Sequence, residues 1–313
     1  MPGKVARLLL IGILAIALVL IWRDWLANIE APELDTRAEL VRPGIYVLFG
    51  NGGNIGVSAG NDGLLLIDAQ YAILTAQVEK ALTAIDPQPP RFVLNTHWHR
   101  DHTGGNEHFA AKGAVIVAHD HARERISVVQ HPSFRKHKVP ATRAVALPIL
   151  SFGDSLSLHV NGDEIRGIFM ADAHTDGDVT YKFMKANVIH TGDLFFENRY
   201  PFIEVDSGGS INGLIRAIDR ILAMCDKETR IIPGHGAVTG RAALAEYRKM
   251  LAVTTGRLRE LRRAGRTVAE ALELQPNADY DRGWAWWFIN EERYTRMIWE
   301  LLERESAEVE ADE

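Results

Sequence analysis

Short apolar runs separated by glycine and asparagine turns dominate the chain from residue 44 onward. Such runs are typical of buried strands, whereas longer segments with apolar positions three and four apart predict helices. Strands are predicted at 45–49, 55–59, 64–68, 91–96, 114–118, 155–159, 165–169, 179–183, 187–190 and 230–232. Helices are predicted at 74–85, 211–224 (N-cap Ser210), 241–263, 267–274 (capping box Thr267 and Glu270) and 291–304, before a frayed acidic tail at 303–313.

The predicted elements form two similar halves, each with strands followed by a helix. This repetition indicates an α/β fold in which two sheets pack face to face with helices outside them. We place a catalytic domain at 43–240 and a helical C-terminal extension at 241–313.

The N-terminal segment differs from the rest of the chain. An uninterrupted apolar run at 8–22 follows Lys4 and Arg7, which predicts a signal anchor or signal peptide over 1–27 and a polar linker over 28–42. No small-x-small cleavage site follows the run, so a retained membrane anchor through 8–22 is favoured over a cleaved signal. Positive charge on the cytoplasmic side then predicts a catalytic domain on the extracytoplasmic, periplasmic side.

The net charge and the cysteine count limit the kinds of binding partner and metal site that we expect. The 313 residues carry a formal net charge of -6 without a basic stripe, so we expect a small-molecule substrate and no nucleic acid. The one cysteine, Cys225, excludes an intramolecular disulfide and a cysteine-rich zinc site.

Potential metal-ligating side chains are most concentrated in the segment 97–102, which reads His-Trp-His-Arg-Asp-His. It follows a predicted strand, so we expect a loop on which the side chains of His97, His99, Asp101 and His102 converge. Imidazole and carboxylate suit zinc and similar divalent metals. Four such groups exceed what one tetrahedral ion easily takes, which suggests two metals.

Three further loops carry candidate ligands. His174 lies in Ala-His-Thr-Asp-Gly, Asp193 lies in Thr-Gly-Asp-Leu, and His235 lies in a Pro-Gly-His-Gly turn. Each follows a predicted strand beside glycine or threonine, where the backbone can bend to aim a side chain.

Together these motifs resemble the metallo-β-lactamase superfamily over approximately residues 45–240. The resemblance implies a four-layer αββα sandwich, two Zn²⁺ per chain, and a metal-bound hydroxide that Asp101 orients toward the substrate. The implied ligands are His97, His99 and His174 for one ion and Asp101, His102 and His235 for the other, with Asp193 bridging both. The resemblance also implies that Asp68, at the end of a predicted strand, supports the metal loop; a simple turn residue is an equal interpretation.

The reaction favoured by this resemblance is hydrolysis of a carbonyl ester, thioester, lactone or lactam. Dedicated β-lactamases usually carry cysteine or serine at the position of Asp193, so the carboxylate favours a general hydrolase. Glyoxalase II-like enzymes have the carboxylate but bind glutathione through a basic C-terminal patch, which the arginines at 262, 263 and 266 do not establish.

Two alternatives come from other functional classes. A mononuclear iron persulfide dioxygenase resembles the chain around His174 and would use His97, His174 and Asp193, but its Gly-Arg-Thr-Asp loop is missing and His235 is present. A metal-binding scaffold without activity is less favoured, since every ligand position is filled.

Several other side chains are weaker candidates for the site. His119 and His121 resemble a metal pair, but a helix cap at Asp120 is the preferred interpretation. The tryptophans at 284, 286, 287 and 299 are predicted to pack in the core, the segment Tyr200-Pro-Phe202 is predicted to wall the substrate pocket, and the glycine-rich segment 51–54 is predicted to form a hairpin turn.

Overall fold

Two β-sheets form the centre of the computed structural model, which describes residues 36–134 and 137–312. The first sheet contains, in spatial order, β1 (Arg37–Arg42), β2 (Ile45–Phe49), β3 (Ile55–Ser58), β4 (Leu65–Ile67), β5 (Phe92–Leu94), β6 (Val115–His119) and β7 (Leu150–Phe152). The second contains β13 (Thr239–Gly240), β12 (Arg230–Ile232), β11 (Val188–His190), β10 (Asp178–Phe183), β9 (Asp163–Met170) and β8 (Ser155–Val160).

The first sheet changes from antiparallel to parallel pairing at its middle. Strands β1 to β4 form an antiparallel meander, and β4 to β7 run parallel. Parallel neighbours need crossover connections, and these carry the helices α1 (Thr75–Thr83), α2 (Arg100–Thr103), α3 (Asn106–Ala111) and α4 (Asp120–Ser127). Because β4 and β5 are parallel, the segments that follow them emerge at the same edge of the sheet.

The second sheet has one parallel pair. Strands β8 to β11 are antiparallel, whereas β11 and β12 run parallel and are connected through α5 (Ile211–Ala223). The segments that contain Asp193 and His235 therefore leave this sheet at the same edge.

An apolar core fills the space between the sheets. Val47 and Leu65 of the first sheet and Val179 and Val188 of the second are fully buried in it. A second core joins the outer face of the second sheet to the C-terminal helices. Two sheets with helices outside them confirm the predicted mixed α/β fold.

The C-terminal helices belong to the same compact unit as the sheets. They are α6 (Arg241–Arg263), α7 (Val268–Leu274), α8 (Ala278–Trp284) and α9 (Glu291–Asp312). The predicted Ser210 cap of α5 and the Thr267–Glu270 capping box of α7 are confirmed. The prediction of a frayed tail at 303–313 is wrong as far as Asp312, because α9 continues through it.

The N-terminal predictions are only partly covered by the structure. Strand β1 pairs with β2, so residues 37–42 at the end of the predicted linker are part of the first sheet. The predicted signal anchor at 1–27 lies outside the described residues. Within the described ranges, no helix is both long enough and apolar enough to cross a membrane.

Candidate metal centre

The histidine-rich segment leaves β5 and turns into a one-turn helix. His99 is extended, and its carbonyl accepts hydrogen bonds from the backbone N–H of His102 at 3.1 Å and of Thr103 at 2.9 Å. His97 and His99 therefore lie on a loop, whereas Asp101 and His102 lie in α2. The predicted loop is confirmed for His97 and His99 and is wrong for Asp101 and His102. These two residues are helical because a helical turn satisfies backbone groups that a loop would leave unpaired.

The structure brings four predicted ligands into a first group. His99 Nδ1 lies 3.0 Å from His97 Nε2 and 2.9 Å from His174 Nε2. Asp193 Oδ2 lies 3.8 Å from His97 Nε2 and 3.6 Å from His174 Nε2. All four residues are buried, and their donor atoms point toward one another.

The remaining three predicted ligands form a second group beside the first. Asp101 Oδ2 lies 3.6 Å from His102 Nε2 and 3.3 Å from His235 Nε2. Asp193 Oδ1 lies 3.1 Å from His102 Nε2 and 3.4 Å from His235 Nε2. The two oxygens of Asp193 thus face different groups, and this carboxylate joins all seven residues into one site.

The donor atoms fit divalent metal ions. In each of the two groups the candidate atoms lie within 4.8 Å of one another. His102 Nε2 and Asp193 Oδ1 are buried and lie 3.1 Å apart, but neither makes a hydrogen bond of good geometry within the described part of the chain. Buried polar atoms of native proteins normally form hydrogen bonds, so two such atoms that face each other without a well-formed one are placed as metal ligands would be. Imidazole nitrogens with carboxylate oxygens are a donor set that suits zinc.

The pKa shifts of the imidazoles differ in direction within the centre, and the pKa of His99 in the first group is raised by Glu204 against the effect of burial. Burial lowers the pKa of His174 to about 4, and burial with neighbouring imidazoles holds the pKa of His97 well below its usual value. Against the effect of burial, Asp193 and Asp101 raise the pKa of His235 to about 9. Also against burial, the histidines of the second group hold the pKa of Asp193 well below its usual range. The ionised carboxylates therefore attract positive charge, and a divalent cation would compete with the protons on the imidazoles.

The sequence around these converging residues identifies the family of the chain. The family model of the metallo-beta-lactamase superfamily matches residues 48–235, which include all seven converging residues. The chain belongs to the metallo-beta-lactamase superfamily. The expected resemblance is therefore confirmed.

Curated relatives match the chain over part of its length. A hydroxyacylglutathione hydrolase from Polaromonas sp. is 29% identical over 46% of this chain and 47% of the relative. Another from Maricaulis maris is 28% identical over 49% of this chain and 51% of the relative. The chain spans about half the length of these relatives.

Solved structures share the fold at low sequence identity. A metallo-beta-lactamase from Pontibacter korlensis has a TM-score of 0.57 at 16% identity and covers 69% of this chain and 99% of that one. An inverting sec-alkylsulfatase from Pseudomonas sp. has a TM-score of 0.62 at 18% identity and covers 85% of this chain and 50% of that one. These similarities show the superfamily fold.

Hydrogen bonds orient the converging imidazoles of this superfamily member. Asp68 Oδ2 lies 2.7 Å from His102 Nδ1, and both Asp68 oxygens also accept hydrogen bonds from Thr96 at 2.7 Å. The structure thus supports a positioning role for Asp68 over that of a simple turn residue. The Phe202 carbonyl lies 2.6 Å from His174 Nδ1.

Two positioning residues, Glu204 and Asp178, were not predicted from the sequence pattern. Glu204 is 2% exposed, and its Oε2 lies 2.8 Å from His99 Nε2. Asp178 accepts backbone hydrogen bonds from His174 at 2.7 Å and from Thr175 at 2.8 Å, which closes the turn that presents His174. The Thr-Asp-Gly-Asp spacing was a local signal for Asp178, whereas nothing near Glu204 in sequence points to His99.

The glycine-rich segment 51–54 connects β2 and β3, so the predicted hairpin is confirmed. It also closes one side of the second group. A Cβ on Gly53 would lie 2.1 Å from His102 Cε1, and one on Gly234 would lie 2.0 Å from Asp193 Oδ1. Glycine is required at both positions because the backbone approaches His102 and Asp193 this closely.

A cleft of about 720 Å³ opens onto the second group and exposes the edge of the first. Its wall includes Phe202, as predicted, but Tyr200 is fully buried and stacks on Tyr294 at 3.8 Å between ring centroids. Tyr200 is therefore a core residue, and its prediction as a wall residue is wrong.

The tryptophans divide between core and cleft. Trp299 is buried and Trp284 packs against the C-terminal core, as predicted. Trp286 touches that core and also lines the cleft, whereas Trp287 is 86% exposed at the cleft. The core prediction is wrong for Trp287, because α8 ends at Trp284 and the segment that follows is a loop with no continuous helical face.

The histidine pair near β6 is outside the metal centre. Helix α4 begins at Asp120, and His119 is its N-cap, accepting a hydrogen bond from the backbone N–H of His121 at 3.2 Å. The cap is therefore one residue earlier than predicted. Neither histidine belongs to the two groups of converging donors.

Proposed function

We propose that the chain is a metal-dependent hydrolase that holds two divalent ions, zinc in the first instance, and cleaves a carbonyl ester, thioester, lactone or lactam. The observation that carries the proposal is the position of Asp193, whose Oδ2 faces the first group and whose Oδ1 faces the second. One carboxylate shared between two sets of donors is the arrangement that a dinuclear site needs. The hydroxyacylglutathione hydrolase relatives favour a hydrolase of this kind.

The metal ions and the protein side chains would have different roles in hydrolysis. Two bound ions would supply Lewis acidity and would favour an ionised water as nucleophile near neutral pH. Of the carboxylates in the two groups, Asp101 is the more accessible, with 16% of its side chain exposed compared with 5% for Asp193. Against its burial, His102 and His235 lower the pKa of Asp101, so this carboxylate is ionised and can accept a hydrogen bond that orients the attacking water.

Metal analysis and a hydrolysis screen test this proposal together. Purified protein is analysed for zinc, iron and manganese and assayed against nitrocefin, acyl-homoserine lactones, thioesters and phosphodiesters. We expect two zinc ions per chain and cleavage of at least one carbonyl substrate. One iron per chain with oxygen consumption would instead establish the dioxygenase alternative and overturn the dinuclear proposal.

The role of Asp101 has its own test. Asp101→Ala should abolish hydrolysis of every substrate found in the screen. Glu79→Gln is the matched control, since Glu79 also pairs with a histidine, His108, at 3.1 Å but lies outside the centre. Retained hydrolysis in Asp101→Ala would refute the proposed role.

We also propose an extracytoplasmic location for the enzyme, on the strength of the charged and apolar N-terminal pattern. Membrane fractionation of the full chain and protease access to intact cells test it. Recovery of the enzyme in the cytoplasm would contradict the proposal.

A further inference from the structure

A continuous aromatic wall runs from the metal centre toward the solvent. The Phe202 ring lies 6.0 Å from the His99 ring and 5.6 Å from the Phe288 ring, measured between centroids. On the other side of the centre, Phe196 stacks on His235 with centroids 5.3 Å apart and an interplanar angle of 9°. These separations are within the range of favourable aromatic contacts.

Both arms of this wall meet in the loop after α8. Trp286 lies 6.3 Å from Phe196 and 5.5 Å from Phe288, again between ring centroids. Trp287 lies 5.6 Å from Phe288 and is 86% exposed. A large indole that is left in water at the end of an aromatic wall is typical of a ligand-binding surface.

One cation accompanies the wall. The Arg199 guanidinium lies over the Trp286 ring, 5.1 Å from its centroid, and lines the same cleft. Within the described ranges Arg199 has no acidic partner, whereas Arg37, which also lines the cleft, pairs with Glu39 at 3.5 Å. Arg199 can therefore receive a carboxylate of a bound molecule without first giving up an ion pair.

From this wall and its cation we infer that the cleft selects acyl substrates with a ring-sized apolar group that also carries an anionic substituent. The apolar group would pack on Trp287 and Phe288, and the anion would pair with Arg199. The inference rests on the proposed hydrolase function, since it concerns which acyl group that reaction accepts. It predicts that a short polar acyl group is a poor substrate.

A series of three thioesters tests the inference. The acyl groups are acetyl, phenylacetyl and 4-carboxyphenylacetyl, all on 2-mercaptoethanol, and the released thiol is measured with a chromogenic reagent. We expect kcat/KM to rise by about ten- to hundredfold from acetyl to phenylacetyl, and by about a further tenfold with the carboxylate.

Two variants separate the two contacts. Trp287→Ala should reduce the phenylacetyl-to-acetyl ratio of kcat/KM to within about threefold. Arg199→Gln should remove the gain from the carboxylate, and Arg199→Lys should retain part of it. Ile149→Ala is the control, because Ile149 is an apolar side chain that is 73% exposed outside the cleft. Equal cleavage of all three esters by the wild type, or an equal loss of all three in Trp287→Ala, would overturn the inference.

A binding measurement distinguishes failure of the inference from failure of the proposed function. Isothermal titration of the metal-loaded protein with 4-(carboxymethyl)benzoate, the product of the third ester, requires no turnover. Binding that weakens at least tenfold in both Trp287→Ala and Arg199→Gln supports the cleft assignment even if no thioester is cleaved. Binding that is unaffected by either variant refutes the assignment, including the case in which the ligand binds through the metals alone.

Discussion

Glu204 provides the sharpest test of how the metal centre is built. Its carboxylate accepts a hydrogen bond from Ser207 Oγ and lies 2.8 Å from His99 Nε2, so it fixes the ring with Nδ1 directed into the first group. Glu204→Gln retains the size and shape of the side chain but removes its charge. Because Glu204 is 2% exposed, solvent cannot replace the lost interaction.

The expected magnitude follows from the chemistry of a histidine ligand. A carboxylate on the second ring nitrogen fixes the tautomer and increases the basicity of the ligating nitrogen, and loss of such a partner typically costs about ten- to hundredfold in metal affinity. That range corresponds to about 1.4–2.7 kcal/mol. The structure confines the effect to the first group, since Glu204 contacts neither His102 nor His235 among its described partners.

Competition with a chromogenic chelator measures the effect at each ion. We expect one of two zinc dissociation constants to rise by about ten- to hundredfold in Glu204→Gln while the other is unchanged. Near-UV circular dichroism checks that the fold is retained, and Glu79→Gln serves as the control for loss of an exposed glutamate–histidine pair. If both affinities remain at the wild-type value, Glu204 does not orient His99 for metal binding.

Three further variants test the backbone and the buried charges. Gly53→Ala should lower zinc content and activity at least tenfold, because the new Cβ would meet His102 at 2.1 Å; full metal loading would contradict this. Gly256→Ala, where a Cβ would have no neighbour within 4 Å, should raise the free energy of unfolding by roughly 0.5–1 kcal/mol in urea titrations. Burial lowers the pKa of His190 to about 4, below its unfolded value of about 6.5, so stability should fall as the pH decreases through that window. Between pH 7 and pH 5 the loss should be about 2 kcal/mol, and His190→Gln should remove that part of the pH dependence; an identical slope in wild type and variant would refute it.

Much of the fold and most of the centre are predictable from the sequence for one physical reason. A buried strand reads as a short apolar run, and the residues immediately after it must lie at an edge of the sheet. The ligand segments around His97, Asp193 and His235 each follow such a run, so the topology alone brings them near one another. Strand β1 was missed because it is mostly exposed and lacks an apolar run.

The residues that escaped prediction depend on contacts between distant segments. Glu204 reaches His99 across 105 positions of the chain, and neither position carries a pattern that specifies the other. Trp287 was misjudged because an aromatic residue near helices usually packs in a core, and only the end of α8 at Trp284 shows that the next segment cannot continue a buried face.

Asp68 shows why residues that orient the candidate ligands are harder to predict from the sequence than the candidate ligands. Its position at the end of β4 follows from the apolar pattern, but its three hydrogen bonds connect β4 to Thr96 after β5 and to His102 in α2. It adopts a positive φ of 68°, which is uncommon for a residue other than glycine and is stabilised here by those bonds. The side chain that holds two strand ends together also fixes the tautomer of His102, so the geometry of the second group depends on the pairing of parallel strands. A residue with that role is recognisable only when the strand order is known, whereas the candidate ligands are recognisable from their spacing.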